Sequence, residues 1–308
     1  MKLQTIWERF KLWRRLRLGG VSMVFRFERA IRVSRGSLDA PPRVPARLSQ
    51  RSRSRGFIDL ADAPARDAAA GCRSPAGTAV LVGVGPGFGY ALARKLAAEQ
   101  FNVVLVSRDS ERLDPLLAEL LERGANASTV GCDATDEAAV ERLFEQVTRL
   151  CGAPTLVTYL VQGCGPGELI DISTSAFEDA WRANCLGAFL VGRSAARVMK
   201  AAAAGSIFFV GSTSSILGRA GHLNLAVGKF GQRAIAQVLS RELWPHGVHV
   251  AHVLVDADIA EDDKPADPSQ ALPDDIALSL LHLHRQPRSA WTSEMDLRPW
   301  REKFWEHC

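Results

Sequence analysis

The fold is decided by the stretch TAVLVGVGPGFGYALARKL, residues 78–96. Its opening apolar run, Ala79-Val80-Leu81-Val82, suits a strand buried on both faces. It breaks into Gly83, Gly85, Gly87 and Gly89, with Pro86 among them, and Ala91, Leu92 and Leu96 follow at helical spacing. A strand, a glycine turn and a helix make the first half of a βαβ unit. Backbone N–H groups at such a turn, together with the positive helix end, hold a pyrophosphate. Glycine is required because a Cβ blocks that approach and because such turns use positive φ. Gly83, Gly85, Gly87, Phe88 and Gly89 are therefore the candidate dinucleotide contacts.

Composition narrows the class. The chain has 308 residues, 47% of them hydrophobic, enough for one large α/β domain or two small ones. Its net charge of +4 hides two unlike parts. Residues 1–75 carry 17 Lys/Arg against 6 Asp/Glu, a balance of +11, so residues 76–308 carry −7. The basic character belongs to the extension, which removes the electrostatic case for nucleic-acid binding by the domain. Cys72, Cys132, Cys151, Cys164, Cys185 and Cys308 form no C-x-x-C pair. Neither a zinc site nor a disulfide framework is suggested, and a cytoplasmic setting is expected. No apolar run approaches the ~18 residues of a membrane span.

Residues 1–75 read as a basic extension and linker, disordered or partly helical. Residues 3–33 carry a basic amphipathic pattern interrupted at Gly19-Gly20, and residues 34–74 are rich in Arg, Ser, Pro and Ala. A membrane-surface anchor, an organelle-targeting segment and a start upstream of the true one are the competing readings.

Strands alternate with helices through the rest. Residues 101–108, 127–132, 154–161, 206–210 and 248–255 read as strands, and 111–124, 136–150, 175–204 and 223–244 as helices. This order gives a Rossmann-type, doubly wound parallel sheet over residues 76–308. The second strand ends in Ser107-Arg108. An acidic residue there accepts from a ribose 2′-OH, whereas a guanidinium grips a 2′-phosphate, so NADP is favoured over NAD. His249 and His252 fall on opposite strand faces, which argues against a metal site.

The order of these landmarks resembles the short-chain dehydrogenase/reductase family across residues 76–299. Gly83, Gly87 and Gly89 match its Gly-x-x-x-Gly-x-Gly turn; Asp133, after the third strand, takes the place of its adenine contact. Asn184 sits within the long fourth helix, and Ser212 and Lys229 fall at the family's active-site spacing. Residues 288–299 resemble the last strand of some bacterial members. Three positions depart from the pattern: Leu225 stands where the catalytic Tyr belongs, Leu160-Val161-Gln162-Gly163 replaces Asn-Asn-Ala-Gly, and Asp256-Ala257 replaces Pro-Gly.

The resemblance implies an NADP(H)-dependent oxidoreductase of a small alcohol or carbonyl compound with an atypical active site. Asn184, Ser212 and Lys229 are its expected catalytic residues, with Lys229 also on the nicotinamide ribose. A homodimer or homotetramer through the helices at 175–204 and 223–244 is expected. The alternative is a catalytically silent NADP(H)-binding sensor or partner subunit. Losing a positioned acid costs a factor of about 10² to 10⁴. His222, Tyr90 and Tyr159 are the other groups weighed for that role, with His222 read as a loop residue facing water.

Overall fold

The computed structural model describes residues 76–163, 165–260 and 267–301. The amphipathic pattern and linker expected over residues 3–74 lie outside them. Seven parallel strands form one sheet in the order β3-β2-β1-β4-β5-β6-β9. These strands are β1 (Thr78–Val82), β2 (Asn102–Ser107), β3 (Ala127–Gly131), β4 (Leu156–Tyr159), β5 (Ser206–Gly211), β6 (His249–Val255) and β9 (Glu294–Leu297). The short strands β7 (Asp258–Ile259) and β8 (Gln270–Ala271) form a separate pair. The doubly wound Rossmann-type sheet expected from the sequence is the one observed.

All of β1 is buried, as its apolar run requires. It pairs with β2 from Thr78↔Asn102 to Val82↔Val106 and with β4 from Ala79↔Leu156 to Val82↔Tyr159. Alternate side chains divide the core. Ala79 and Leu81 pack with α1 (Phe88–Ala98), α2 (Asp114–Glu122) and α7 (Pro273–His284). Val80 and Val82 pack with α3 (Glu137–Cys151), α5 (Gly187–Ala202) and α6 (Leu223–Leu243). The period of two along the strand thus feeds two helical layers.

The continuous helix expected over residues 175–204 is divided. It consists of α4 (Thr174–Trp181), a π-helical turn at Arg182–Leu186, and α5. In the wide turn Gly187 N–H reaches back to Arg182 O, and the Tyr159 hydroxyl donates to Ala183 O. The packing permits it because small residues face the turn. A Cβ on Gly187 would lie 2.3 Å from Tyr159 Oη, and one on Gly228 would lie 2.5 Å from Asn184 Cβ. Period alone does not distinguish a 3.6-residue helix from one widened by a single turn.

Helix α7 is not among the helices expected from the sequence. Its signals are Pro273 in the first turn, followed by Asp274 and Asp275, with Ile276, Leu280, Leu281 and Leu283 buried. Strand β4 ends at Tyr159, two residues before the apolar run does. Cys132 and Cys185 are free thiols among the described residues. Among the described residues, no helix is long and apolar enough to cross a membrane, and no metal-ligating cluster occurs. His249 and His252 do lie on opposite faces of β6: His249 stacks on Trp291, while His252 lies 3.4 Å from Glu294.

Gly187→Ala is expected to lower stability by about 1–3 kcal/mol, since neither the Tyr159 ring nor the turn has room to shift. Urea denaturation followed by circular dichroism reads that loss.

Candidate functional site

Parallel strands leave a crevice at their C-terminal ends where the chain order reverses, here between β1 and β4. A cleft of about 690 Å³ opens there. Gly83, Gly85, Pro86, Gly87, Phe88 and Gly89 form one wall, and Val210, Gly211, Ser212 and Lys229 another. Leu160, Gln162, Val255, Ala257, Ile259 and Ala260 complete it.

The glycine turn suits an anionic ligand. Gly83 N–H and Val84 N–H both donate to Val106 O, at 2.8 and 3.2 Å, which ties the turn to β2. Gly83 has φ +88° and lies so close to the β4 exit that a Cβ would sit 2.7 Å from Val161 N. Gly87 has φ +75° and begins α1, whose first turn carries neither a side-chain cap nor an acidic residue. Tyr90 N–H donates to Gly85 O at 3.2 Å, and no side chain caps the rest of the turn, so the positive helix end faces the cleft uncompensated. A pyrophosphate fits this cradle.

Asn184 is fully buried at the centre of the π-helical turn. Its Nδ2 donates to Gly163 O at 2.7 Å and to Ala180 O at 2.9 Å, and its Oδ1 accepts from Gly163 N–H at 3.2 Å. The side chain thus clamps the loop after β4 and lies behind the cleft wall.

Lys229 lies on α6, 2% exposed, and lines the cleft. Its Nζ donates to Val210 O at 3.0 Å and to Val161 O at 3.2 Å. Burial pushes its pKa down to about 7. Ser212 follows β5. Its hydroxyl turns toward the Ser215 N–H in a capping-box arrangement, but no full hydrogen bond satisfies it. Ser215 Oγ in turn accepts from Ser212 N–H at 3.2 Å. Leu225, one helical turn before Lys229, is buried at 7% exposure.

Ser107, Arg108 and Asp133 stand at the exits of β2 and β3 and are not among the residues lining the central cleft. Arg108 is exposed. Partial burial works against the Asp133 charge, but Thr135 N–H and hydroxyl, both at 2.8 Å, with Arg108 and Arg182 nearby, hold its carboxyl below the ordinary range.

The remaining candidates do not reach the cleft. Tyr159 is buried against Ala183 O, and burial, with Asp133 and Cys185, raises its pKa. The Tyr90 hydroxyl donates to Arg112 O at 3.2 Å. His222 is exposed with Nδ1 3.1 Å from Ala220 O, as a loop residue facing water should be.

Two polar clusters beneath the site escaped the sequence reading. Asp256 accepts from the Thr213 hydroxyl and pairs with Arg298, so the position read only as a departure joins β5, β6 and β9. His252 lies 3.4 Å from Glu294, which Arg233 also binds. Burial depresses the His252 pKa to about 4 against the pull of Glu294. The sequence offers only their place at strand ends as a signal.

Fold and cleft together define a Rossmann-type nucleotide-binding protein. The model of short chain dehydrogenases matches residues 77–260, and the chain belongs to that family. It is 35% identical over 172 residues to the 3-oxoacyl-[acyl-carrier-protein] reductase MabA of Mycobacterium avium. That match takes in 55% of this chain and 62% of the relative, less than two thirds of its length. A short-chain dehydrogenase structure from Rhodopseudomonas palustris is 33% identical with a TM-score of 0.63, covering 73% of this chain and 99% of the other. A metagenomic short-chain oxidoreductase in complex with NADP is 26% identical with a TM-score of 0.65, covering 73% and 97%.

Lys229 couples the site to stability. Its amine holds a proton less readily in the folded chain, at about 7, than at the ordinary 10.5. Between those values the unfolded chain carries more protons, so this group makes stability rise with pH. Lys229→Met is expected to flatten that rise, read by urea denaturation at about pH 6.5 and about pH 9.

Proposed function

We propose that the chain is an NADP(H)-dependent oxidoreductase of a small alcohol or carbonyl compound, cytoplasmic, with a proton-transfer site that departs from the family at Leu225. The observation that carries the reading is the single cleft in which the uncapped glycine turn faces Ser212 and Lys229. In this reading residues 76–308 form the nucleotide-binding domain and residues 1–75 an extension to it.

Gly83, Gly85, Gly87, Phe88 and Gly89 take the pyrophosphate on the start of α1. Asp133 contacts the adenine end, and Ser107 with Arg108 takes a 2′-phosphate, for which the NADP complex of a similar protein is support. Bound NADPH supplies a hydride to the substrate carbon. Ser212 Oγ, buried and short of a full hydrogen bond, donates to the substrate oxygen. Asn184 holds the loop that carries Gly163 against the π-helical turn. Lys229 contacts the nicotinamide ribose.

A homodimer or homotetramer through α5 and α6 accompanies this reading. The exposed Phe189 and Val238 border a mostly apolar groove of about 570 Å³ between those helices. The second reading, a silent NADP(H)-binding sensor or partner subunit, is favoured by one observation. Leu225, which has no proton to give, is buried one turn from Lys229.

Fluorescence titration of the full chain is expected to show NADPH binding ahead of NADH. Arg108→Glu, which exchanges a charge-assisted bond for repulsion, is expected to weaken NADPH by about 10- to 100-fold and leave NADH nearly unchanged. Equal affinities in the wild type would overturn the NADP assignment.

A further inference from the structure

Sixteen described residues line the cleft, and among them only Lys229 carries a group that titrates. Neither tyrosine reaches it, and His222 is turned to solvent. A carbonyl reduction needs one proton on oxygen, and among the described residues of the cleft wall one ionisable source stands. We propose that Lys229 is itself the proton donor, acting through one water to the substrate oxygen held by Ser212. This deepens the oxidoreductase reading and rests on it.

The geometry suits both protonation states. An ammonium has three N–H donors. Two are spent on Val161 O and Val210 O, at 3.2 and 3.0 Å, which leaves one for the cleft, where the nicotinamide ribose and the bridging water share it. After that proton leaves, the neutral amine keeps two N–H groups for the same two carbonyls and turns its lone pair to the cleft. Transfer therefore breaks no hydrogen bond to the protein. Burial places the Lys229 pKa at about 7, in the range where general acids work best at neutral pH.

The surroundings do not reverse this. On α6, Arg233 is paired with Glu294 of β9. On β6, His252 is driven neutral by burial, with the Lys229 charge acting in the same direction. From the π-helical turn, Asn184 is committed to Gly163 and Ala180, and Cys185 is pushed up by burial. From β4, Tyr159 is committed to Ala183 O.

The step balances. The carbonyl carbon gains the hydride and its two electrons, and the C=O π pair moves to oxygen. An O–H bond forms from the bridging water as an Nζ–H bond of Lys229 breaks to restore that water. The products are the alcohol, the oxidised nucleotide and a neutral amine, which solvent reprotonates.

Two measurements on the full chain test the proposal. The first is ¹³C NMR of lysine-labelled protein, with the Lys229 Cε signal assigned from Lys229→Met and Lys229→Arg. A titration midpoint near 7 is expected, and one above about 9, toward the ordinary lysine value, overturns the proposal whether or not a substrate is known. The second is NADPH oxidation against a panel of aldehydes and ketones. The reduction rate is expected to fall about tenfold per pH unit above the midpoint, because the donor is lost there. Lys229→Arg keeps the cation but gives up no proton at these pH values. It is expected to lose a factor of about 10² to 10⁴ in kcat and the pH dependence with it. Oxidation that persists in both variants with an unchanged profile overturns the donor role alone. No oxidation by the wild type with any carbonyl overturns the oxidoreductase reading, and with it the step.

Discussion

The site depends on one buried amide. Asn184 is fully enclosed, and its three hydrogen bonds join the loop after β4 to the widened turn between α4 and α5. Orphaning a buried amide costs on the order of 1–3 kcal/mol, so the clamp is stable only while all three partners stay in place. The glycines around it allow that closeness: Gly163 against Ala183, Gly187 against Tyr159, and Gly228 against Asn184 itself. Because Gly228 adjoins Lys229, the contact that seats the clamp also fixes the height at which α6 presents its lysine.

A second set of polar groups steadies the far wall. β5, β6 and β9 lie side by side, and polar groups at and just past their ends pair across them. Asp256 answers the Thr213 hydroxyl on one side and Arg298 on the other. Val210 O accepts from both Lys229 and Gln232. Buried groups of this kind cost more unpaired than they gain paired, so they define a single arrangement rather than a tighter one. The Ser212 turn inherits that arrangement through Thr213.

Much of this was legible in residues 78–96. An apolar run followed by glycines and a helical period admits few solutions, and the observed β1, turn and α1 match. Asn184, Ser212 and Lys229 came from the family resemblance, and the fold places Ser212 and Lys229 on the cleft wall with Asn184 behind it. The π-helical turn was not legible, because its cause lies in contacts from Tyr159 and Gly228, distant in sequence. α7 is absent from the expected helices although Pro273-Asp274-Asp275 announces its start. The clusters around Asp256 and His252 needed strand neighbours that only the sheet order supplies.

The pairing of α1 with α7 bears on how the chain is made. α1 (Phe88–Ala98) belongs to the first βαβ unit, yet the helix that covers it, Pro273–His284, is synthesised long after it. Arg285, just past α7, bonds Glu99, just past α1, across 186 residues. At about 5–20 residues per second, translation leaves that side of the first unit uncovered for roughly 10–40 s. Leu92 and Leu96, buried in the finished protein, belong to that unfinished layer throughout. The nascent chain on the ribosome is therefore a half-roofed sheet, and the burden of keeping it from sticking falls on whatever shelters it until α7 emerges.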